Sequence, residues 1–386
     1  MNKLTYISLF SSAGIGCYGF KTEGFDCIAT NELLAKRLEV QRCNHKCKYN
    51  SGYIVGDILS KCTHDLIMQQ FEFWKENEHI DDLTVLIATP PCQGMSVANH
   101  KKKNEQKRNS LVVASIALIK EMKPKYFVLE NVKAFLNTIC TDLDGVDKKI
   151  KIAIDDNLSD DYVIESKVLN FKNYGSNSSR TRTLVIGVRK DINLSPDSLF
   201  PEFREEKSLR QVIGDLPPLN VMGEIAPDDI FHYFRKYTPE MRHWIRDLKE
   251  GECAFDNTDP NKLPHYYKNG EKIYSKNGNG DKYTRQCWDK VAPCIHTRND
   301  ILASQNTVHP VDDRVFSIRE LMRMMSIPTS FRWTDHSLNE LNALPLAEKI
   351  KYLEQNDINI RQSIGEAVPT EIFRQIAENI KKAEDK

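Results

Sequence analysis

The chain has 386 residues, 40% of them hydrophobic and 28% charged, with 54 basic residues balancing 54 acidic ones. That length supports a large core and two domains. No apolar run approaches the ~18 residues of a membrane span, and the N-terminal "MNKLTYISLF" is too short in apolar character for a secretory signal. A net charge of zero leaves nucleic-acid binding to local patches.

In chain order, "LTYISLF" (4–10) reads as a strand, followed by the glycine-containing "SSAGIG" (11–16) and a helix-compatible run to about Glu23. "FDCIAT" (25–30) is a second strand ending at Asn31-Glu32, followed by a helical stretch over 33–44. "YIVGDI" (53–58), "LTVLIA" (83–88) and "KYFVLENV" (125–132) read as further strands, and "SLVVASIALIKEM" (110–122) has helical periodicity. Such alternation predicts βαβ units and a parallel sheet, an α/β fold. Beyond residue 190 the pattern loses its period, and "YYKNGEKIYSKNGNGDKY" (266–283) reads as turn-rich and hairpin-like. "SIGEAVPTEIFRQIAENIKKA" (363–383) reads as a returning helix with Pro369 near its start.

The distinctive groups fall at the carboxyl ends of the strands, where open α/β sheets bind ligands: Ser12 to Gly16, Glu32, Asp57, Cys92 and Glu130. The glycine turn lets backbone N–H groups approach an anion. Glu32 is placed to accept from a ribose diol, and Asp57 from an adenine amine. Taken in that order they suggest an adenosine cofactor, although each alone also reads as a solvated carboxylate or a cap. Cys92 follows the stiff Pro90-Pro91 pair, which suits either a rigidly held thiol reagent or a small buried apolar residue. Glu130 follows four apolar residues, so desolvation is expected to raise its pKa toward that of a general acid; the alternative is a helix cap or a structural ion pair. Arg180 and Arg182, two apart at the start of "SSRTRTLVIGVR" (178–189), are expected on one strand face, suited to phosphate or base, although a solvent-exposed strand end would look the same. "HKKKNEQKR" (100–108) is a basic run close to Cys92. "CNHKC" (43–47) lacks a second ligand pair at finger spacing, so no metal site is expected, and ten scattered cysteines point to a reducing cytoplasm.

These segments resemble, in order, the motifs of the DNA (cytosine-5) methyltransferases: "SLFSSAGIG", "NE" (31–32), "GDI" (56–58), "PPCQGMS", "RNSL" (108–111), "ENV" (130–132), "RTR" (180–182), "SIRELMRMMSIPTSF" (317–331) and "IGEAVP" (364–369), with weaker likenesses in "QVIGDLPPL" (211–219) and "WDKVAPCIHTR" (288–298). The resemblance implies a Rossmann-like, S-adenosylmethionine-dependent catalytic domain formed by 1–190 and 316–386, with a smaller, mostly irregular or β target-recognition domain at 191–315. It implies that Cys92 adds to carbon 6 of a flipped-out cytosine, that Glu130 protonates ring N3, and that Arg182, with Arg180 near it or the backbone, holds the base. It assigns Phe10, Ser12, Ala13, Gly14, Ile15, Glu32, Leu33, Asp57, Ile58, Pro91 and Val368 to the cofactor. It also implies a double-stranded DNA substrate, a monomer, a bacterial cytoplasmic setting and a restriction endonuclease acting on the same site. The chain departs from the family pattern at Ser12, Leu33, Ser178 and Glu366. The competing readings are the same chemistry on tRNA, a non-enzymatic DNA-binding subunit and, remotely, a thiol protease.

Overall fold

The computed structural model describes residues 3–91, 105–276 and 280–385, with backbone alone for 105–110. The chain divides into two compact units, the first comprising 3–174, 181–203 and 370–385, the second 175–180 and 204–369. The stretch 316–369 therefore groups with the irregular region and not with the sheet, unlike the boundary expected at residue 316.

The first unit is a seven-stranded sheet with helices on its faces. In chain order come β1 (Thr5–Leu9), α1 (Tyr18–Thr22), β2 (Asp26–Glu32), α2 (Ala35–Cys43), β3 (Tyr53–Val55), α3 (Lys61–Glu78), β4 (Val85–Ala88), α4 (Glu105–Met122) and β5 (Tyr126–Val132). A small hairpin, β6 (Ile139–Thr141) and β7 (Asp147–Lys149), leads into α5 (Ile150–Leu158) and the long strands β8 (Tyr162–Asn170) and β9 (Thr181–Arg189). The sheet order is β3-β2-β1-β4-β5-β9-β8. The first five strands run parallel, while β9 is antiparallel to both β5 and β8, so the sheet is mixed and not purely parallel. Ile7, Leu9, Leu86, Phe127 and Leu129 lie fully buried, as apolar runs covered on both faces should. Successive connections leave β1 in opposite directions, toward β2 and toward β4. The cleft at their carboxyl ends is therefore the switch point at which such sheets take ligands.

The second unit contains α6 (Leu209–Ile213), β10 (Ile225–Ala226), β11 (Asp229–Tyr233), α7 (Pro239–Ile245), the hairpin β12 (His265–Lys268) and β13 (Glu271–Tyr274), α8 (Ile318–Met324), α9 (Leu338–Ala343) and α10 (Leu346–Glu366). One of its cores gathers Trp244, Ile245, Tyr283, Leu302, Val308 and Val315. Helix α8 starts on a reciprocal capping box in which the Ser317 hydroxyl accepts from the Glu320 N–H and the Glu320 carboxylate accepts from the Ser317 N–H.

The single C-terminal helix expected over 363–383 is two helices. α10 ends at Glu366, and α11 (Thr370–Glu384), part of the first unit, begins just after Pro369. Proline disfavours the α region for Val368, which breaks the helix there. Helix α11 lies against α1 at Gly19, where an added Cβ would sit 2.4 Å from the Arg374 N and 2.7 Å from the Thr370 O. Both neighbours are backbone, so neither can swing aside. Gly19→Ala is expected to destabilise the chain by about 2–3 kcal/mol, a clash larger than the ~1 kcal/mol that alanine gains in helix propensity. Equilibrium urea unfolding checks this; a variant as stable as the parent would refute the close packing.

Candidate active site

The turn after β1 is held in an unusual backbone path. Phe10 (φ 55°), Ser12 (φ 44°) and Gly14 (φ 78°) all lie in the left-handed region, which costs a non-glycine residue roughly 1 kcal/mol or more. Hydrogen bonds from surrounding strands offset this. Ser11 N–H donates to the Asn31 carbonyl at 3.1 Å, and Thr89 Oγ1 donates to the Phe10 carbonyl at 3.1 Å. Ser12 N–H donates to Glu32 Oε2 at 2.7 Å. Beneath the turn, buried Gln41 donates to the Ser12 carbonyl at 2.6 Å and to Ser11 Oγ at 2.8 Å, while Thr30 Oγ1 donates to Gln41 Oε1 at 2.8 Å. A Cβ at Gly14 would meet Gln41 Cγ at 2.9 Å, so the glycine serves both the positive φ and the close approach. From α11, Thr370 Oγ1 donates to the Ile15 carbonyl at 3.0 Å. Ala13 and Ile15 are buried.

Glu32 ends β2. Its Oε1 accepts from the N–H groups of Leu33 (2.9 Å) and Leu34 (3.2 Å). With Ser12, three of its four or so acceptor positions are filled, which fixes the carboxylate and leaves about one position for a further hydroxyl. Leu33 is 63% exposed and Leu34 and Leu59 are also exposed, so apolar surface lies open at the carboxyl ends of the strands beside this acid. Asp57 is exposed and accepts from Leu59 N–H at 3.0 Å; Ile58 beside it is buried.

At the other side of the switch point, Pro90 is buried and Pro91 exposed. Asn131 donates through Nδ2 to the Pro90 carbonyl at 2.8 Å, and its Oδ1 accepts from Val132 N–H at 2.8 Å. This side chain ties the end of β5 to the diproline. Cys92 and residues 100–104 of the basic run lie outside the described residues, and 105–108 of that run open α4.

Glu130, on β5, is buried, and Arg182 Nε lies 3.2 Å from its Oε1. The register explains the pairing. Glu130 faces Leu184 and Val132 faces Arg182, so Arg182 is the same-face diagonal neighbour of Glu130. Arg182 also donates to the Thr181 carbonyl at 2.8 Å. The arginine supplies a countercharge that burial of the acid alone would leave unmet.

Arg180 is not on that face. The strand begins at Thr181, and Arg180 belongs to the second unit. Its buried guanidinium donates to the carbonyls of Ile295 (3.1 Å), Gly365 (3.3 Å) and Glu366 (3.4 Å). The structure thus corrects the expectation of paired arginines: Arg180 closes the C-terminal end of α10. Gly365 is required there because a Cβ would lie 2.4–2.5 Å from the His296 and Thr297 backbone. Val368 is buried in the second unit. Sequence reading missed Gln41, Asn131 and Thr370. Of the three, only Asn131 sits in a quoted motif, and none carries chemistry of its own.

A C-5 cytosine-specific DNA methylase family model matches residues 4–382. The type II methyltransferase M1.HgaI of Avibacterium volantium is 32% identical over 97% of both chains. The type II methyltransferase M1.HphI of Haemophilus parahaemolyticus is 27% identical over 98% of this chain and 87% of its own. Among solved structures, a putative DNA modification methyltransferase encoded in an E. coli prophage matches the whole of both chains with a TM-score of 0.66 at 16% identity, a likeness of fold. Matched over nearly its entire length, the chain belongs to the C-5 cytosine-specific DNA methylases.

Proposed function

We propose that the protein is a sequence-specific modification enzyme of a type II restriction system, methylating carbon 5 of a cytosine flipped out of duplex DNA. The observation that carries this reading is the pairing of buried Glu130 with half-buried Arg182 on the sheet face beside the diproline that Asn131 anchors. The two relatives named above, both type II methyltransferases, support the restriction setting. With it go a bacterial cytoplasm, action as a monomer and a cognate endonuclease cutting the same sequence.

The first unit suits S-adenosylmethionine. Glu32 would take the ribose hydroxyls, Asp57 the adenine amine, and Leu33 and Ile58 would lie against the ring. The strained turn from Phe10 to Ile15, with Pro91, would complete the site. When bound, this cofactor supplies an electrophilic methyl group. The chain's own residues make the cytosine able to accept it. The Cys92 thiolate adds to carbon 6, and Glu130 hydrogen-bonds and protonates N3, so the ring electrons move to carbon 5 as an enamine. After carbon 5 is methylated, water takes its proton, the released electron pair expels the thiolate from carbon 6, and N3 returns its proton to Glu130, which restores the aromatic ring. Arg182 orients Glu130 and reaches the carbonyl of the base. Because carbon 5 is inaccessible within the stack, the base must be extruded, and the lysines after Cys92 are suited to the flanking phosphates.

The test is base-resolution bisulfite sequencing of plasmid DNA from cells expressing the chain, beside Cys92→Ala. Protection of one recurrent context, lost in the variant, is the expected result. No protected cytosine from soluble protein would overturn the reading as a DNA enzyme acting alone.

A further inference from the structure

The β12–β13 hairpin of the second unit carries aromatic surface that its own core does not use. His265 pairs with Tyr274, Tyr266 with Ile273, Tyr267 with Lys272 and Lys268 with Glu271. The turn Asn269-Gly270 has both residues at positive φ (52° and 81°), the tight geometry that suits a two-residue hairpin, and among the described residues nothing lies within 4 Å of a Cβ built on Gly270. The base of the hairpin is anchored: the His265 ring lies 5.2 Å from that of Trp244, which belongs to the core. The tip is open.

Two-stranded ribbons are marginal on their own, and here the Tyr267 and Tyr274 rings contact His265 at 5.6 and 6.3 Å between centroids. Yet Tyr266, Tyr267 and Tyr274 are 52%, 60% and 47% exposed. They are interleaved with predominantly positive charge. Residues 262–276 hold four lysines and one carboxylate, Glu271, in a chain whose net charge is zero. Lys262 pairs with Asp247, leaving Lys268, Lys272 and Lys276 at the ribbon, and Lys272 lies over the Tyr274 ring at 5.1 Å. Lysine alone would be explained as protection of a sheet edge against pairing with another chain; exposed tyrosines work against such protection. Beside the ribbon is a recess of about 390 Å³ lined by Glu240, His243, Trp244, His265, Tyr267 and Lys272. A ribbon of two strands fits the major groove of B-form DNA. There lysines reach phosphates, and aromatic side chains make apolar contact with thymine methyl groups.

We infer that the β12–β13 ribbon is the element that reads the target sequence, with Tyr266 and Tyr267 determining specificity and Lys268 and Lys276 holding the phosphates. This rests on the reading of the chain as a sequence-specific DNA enzyme. It locates that specificity in about ten residues.

The experiment selects bound molecules from a randomised 30-base-pair duplex pool with the full chain and sequences them, beside Tyr266→Ala/Tyr267→Ala, Tyr266→Phe/Tyr267→Phe and Lys268→Ala/Lys276→Ala. The parent is expected to enrich one motif. The alanine pair should lose discrimination roughly tenfold or more at one or more base pairs of that motif, with unchanged thermal stability. The phenylalanine pair should retain most of it. The lysine pair should weaken binding evenly across sequences and flatten its salt dependence. If the alanine pair enriches the same motif with undiminished strength, the inference fails while the methyltransferase reading stands. A parent that selects no motif overturns the inference. The bisulfite assay then shows separately whether methyl transfer survives.

Discussion

Replacing Glu130 by glutamine is expected to slow methyl transfer by a factor of about 10²–10⁴, the range for removing a positioned general acid, while S-adenosylmethionine binds as before. Glutamine keeps the shape and can still hydrogen-bond to the base. It cannot relay a proton to N3, and it removes the carboxyl group that faces Arg182 3.2 Å away. Part of any loss could therefore come from displacement of the arginine and not from chemistry. Two readouts separate these causes. Single-turnover methylation of a saturating duplex reports the chemical step, and trapping of Cys92 by a 5-fluorocytosine duplex reports adduct formation. If Glu130 acts on N3, both should fall together, because protonation assists thiolate addition itself. Arg182→Lys keeps the charge but not the planar guanidinium, and is expected to cost less than Glu130→Gln. A Glu130→Gln chain within threefold of the parent rate would remove the acid from the mechanism.

How much of this site could be read from the sequence depended on whether a residue's role is set by its neighbours in the chain or across the sheet. Glu32 and Glu130 end apolar runs, so a strand-end position was legible for both. The diproline was legible because proline restricts backbone torsions wherever it stands. The pairing of Glu130 with Arg182 needs the antiparallel register of β9 on β5, which nothing in either segment specifies. The same register problem misplaced Arg180. Residues two apart share a face only within one strand, and the strand starts between them. The supports of the glycine turn were invisible for a different reason. Gln41 and Thr370 are ordinary helix residues until the fold brings them under Ser12 and Ile15. The break at Ala367–Pro369 was partly legible from Pro369. What α10 packs against was not, because its partners 295–297 are some seventy residues away.

A second large effect is expected in stability, as a loss on mild acidification that originates around His309. The ring is buried, and its Nδ1 accepts from the N–H groups of Val311 (3.3 Å) and Asp312 (3.0 Å). An accepting Nδ1 carries no proton, so the folded state holds the neutral ring with its hydrogen on Nε2, 3.6 Å from Glu320 Oε1. Burial pushes the pKa down to about 4; Glu320 and Asp312 pull it up, and Arg314 and Arg285 push it further down. The carboxylates offset burial only in part, and they are already engaged: Arg314 holds Glu320 through two 2.7 Å bonds and reaches Asp312 at 2.8 Å. In the unfolded chain the same imidazole takes a proton near its ordinary value of about 6.5. Between pH 6.5 and 4 the unfolded state therefore binds more protons than the folded one, and stability falls as pH falls. The difference of about 2.5 pH units corresponds to roughly 3 kcal/mol, fully present above pH 6.5 and gone near pH 4. Glu320 is held well below the usual carboxylate range by Arg314, so its own contribution begins to be lost only below about pH 4.5. Urea unfolding at half-unit steps from pH 7.5 to 4.5 should show the decline. His309→Gln is expected to be less stable at pH 7, because it gives up the ring's contacts with Trp288 and Phe316, yet flatter across the window. A variant with the parent's slope would place the acid sensitivity elsewhere. If the parent showed no slope between pH 6.5 and 5, the neutral buried histidine would itself be refuted.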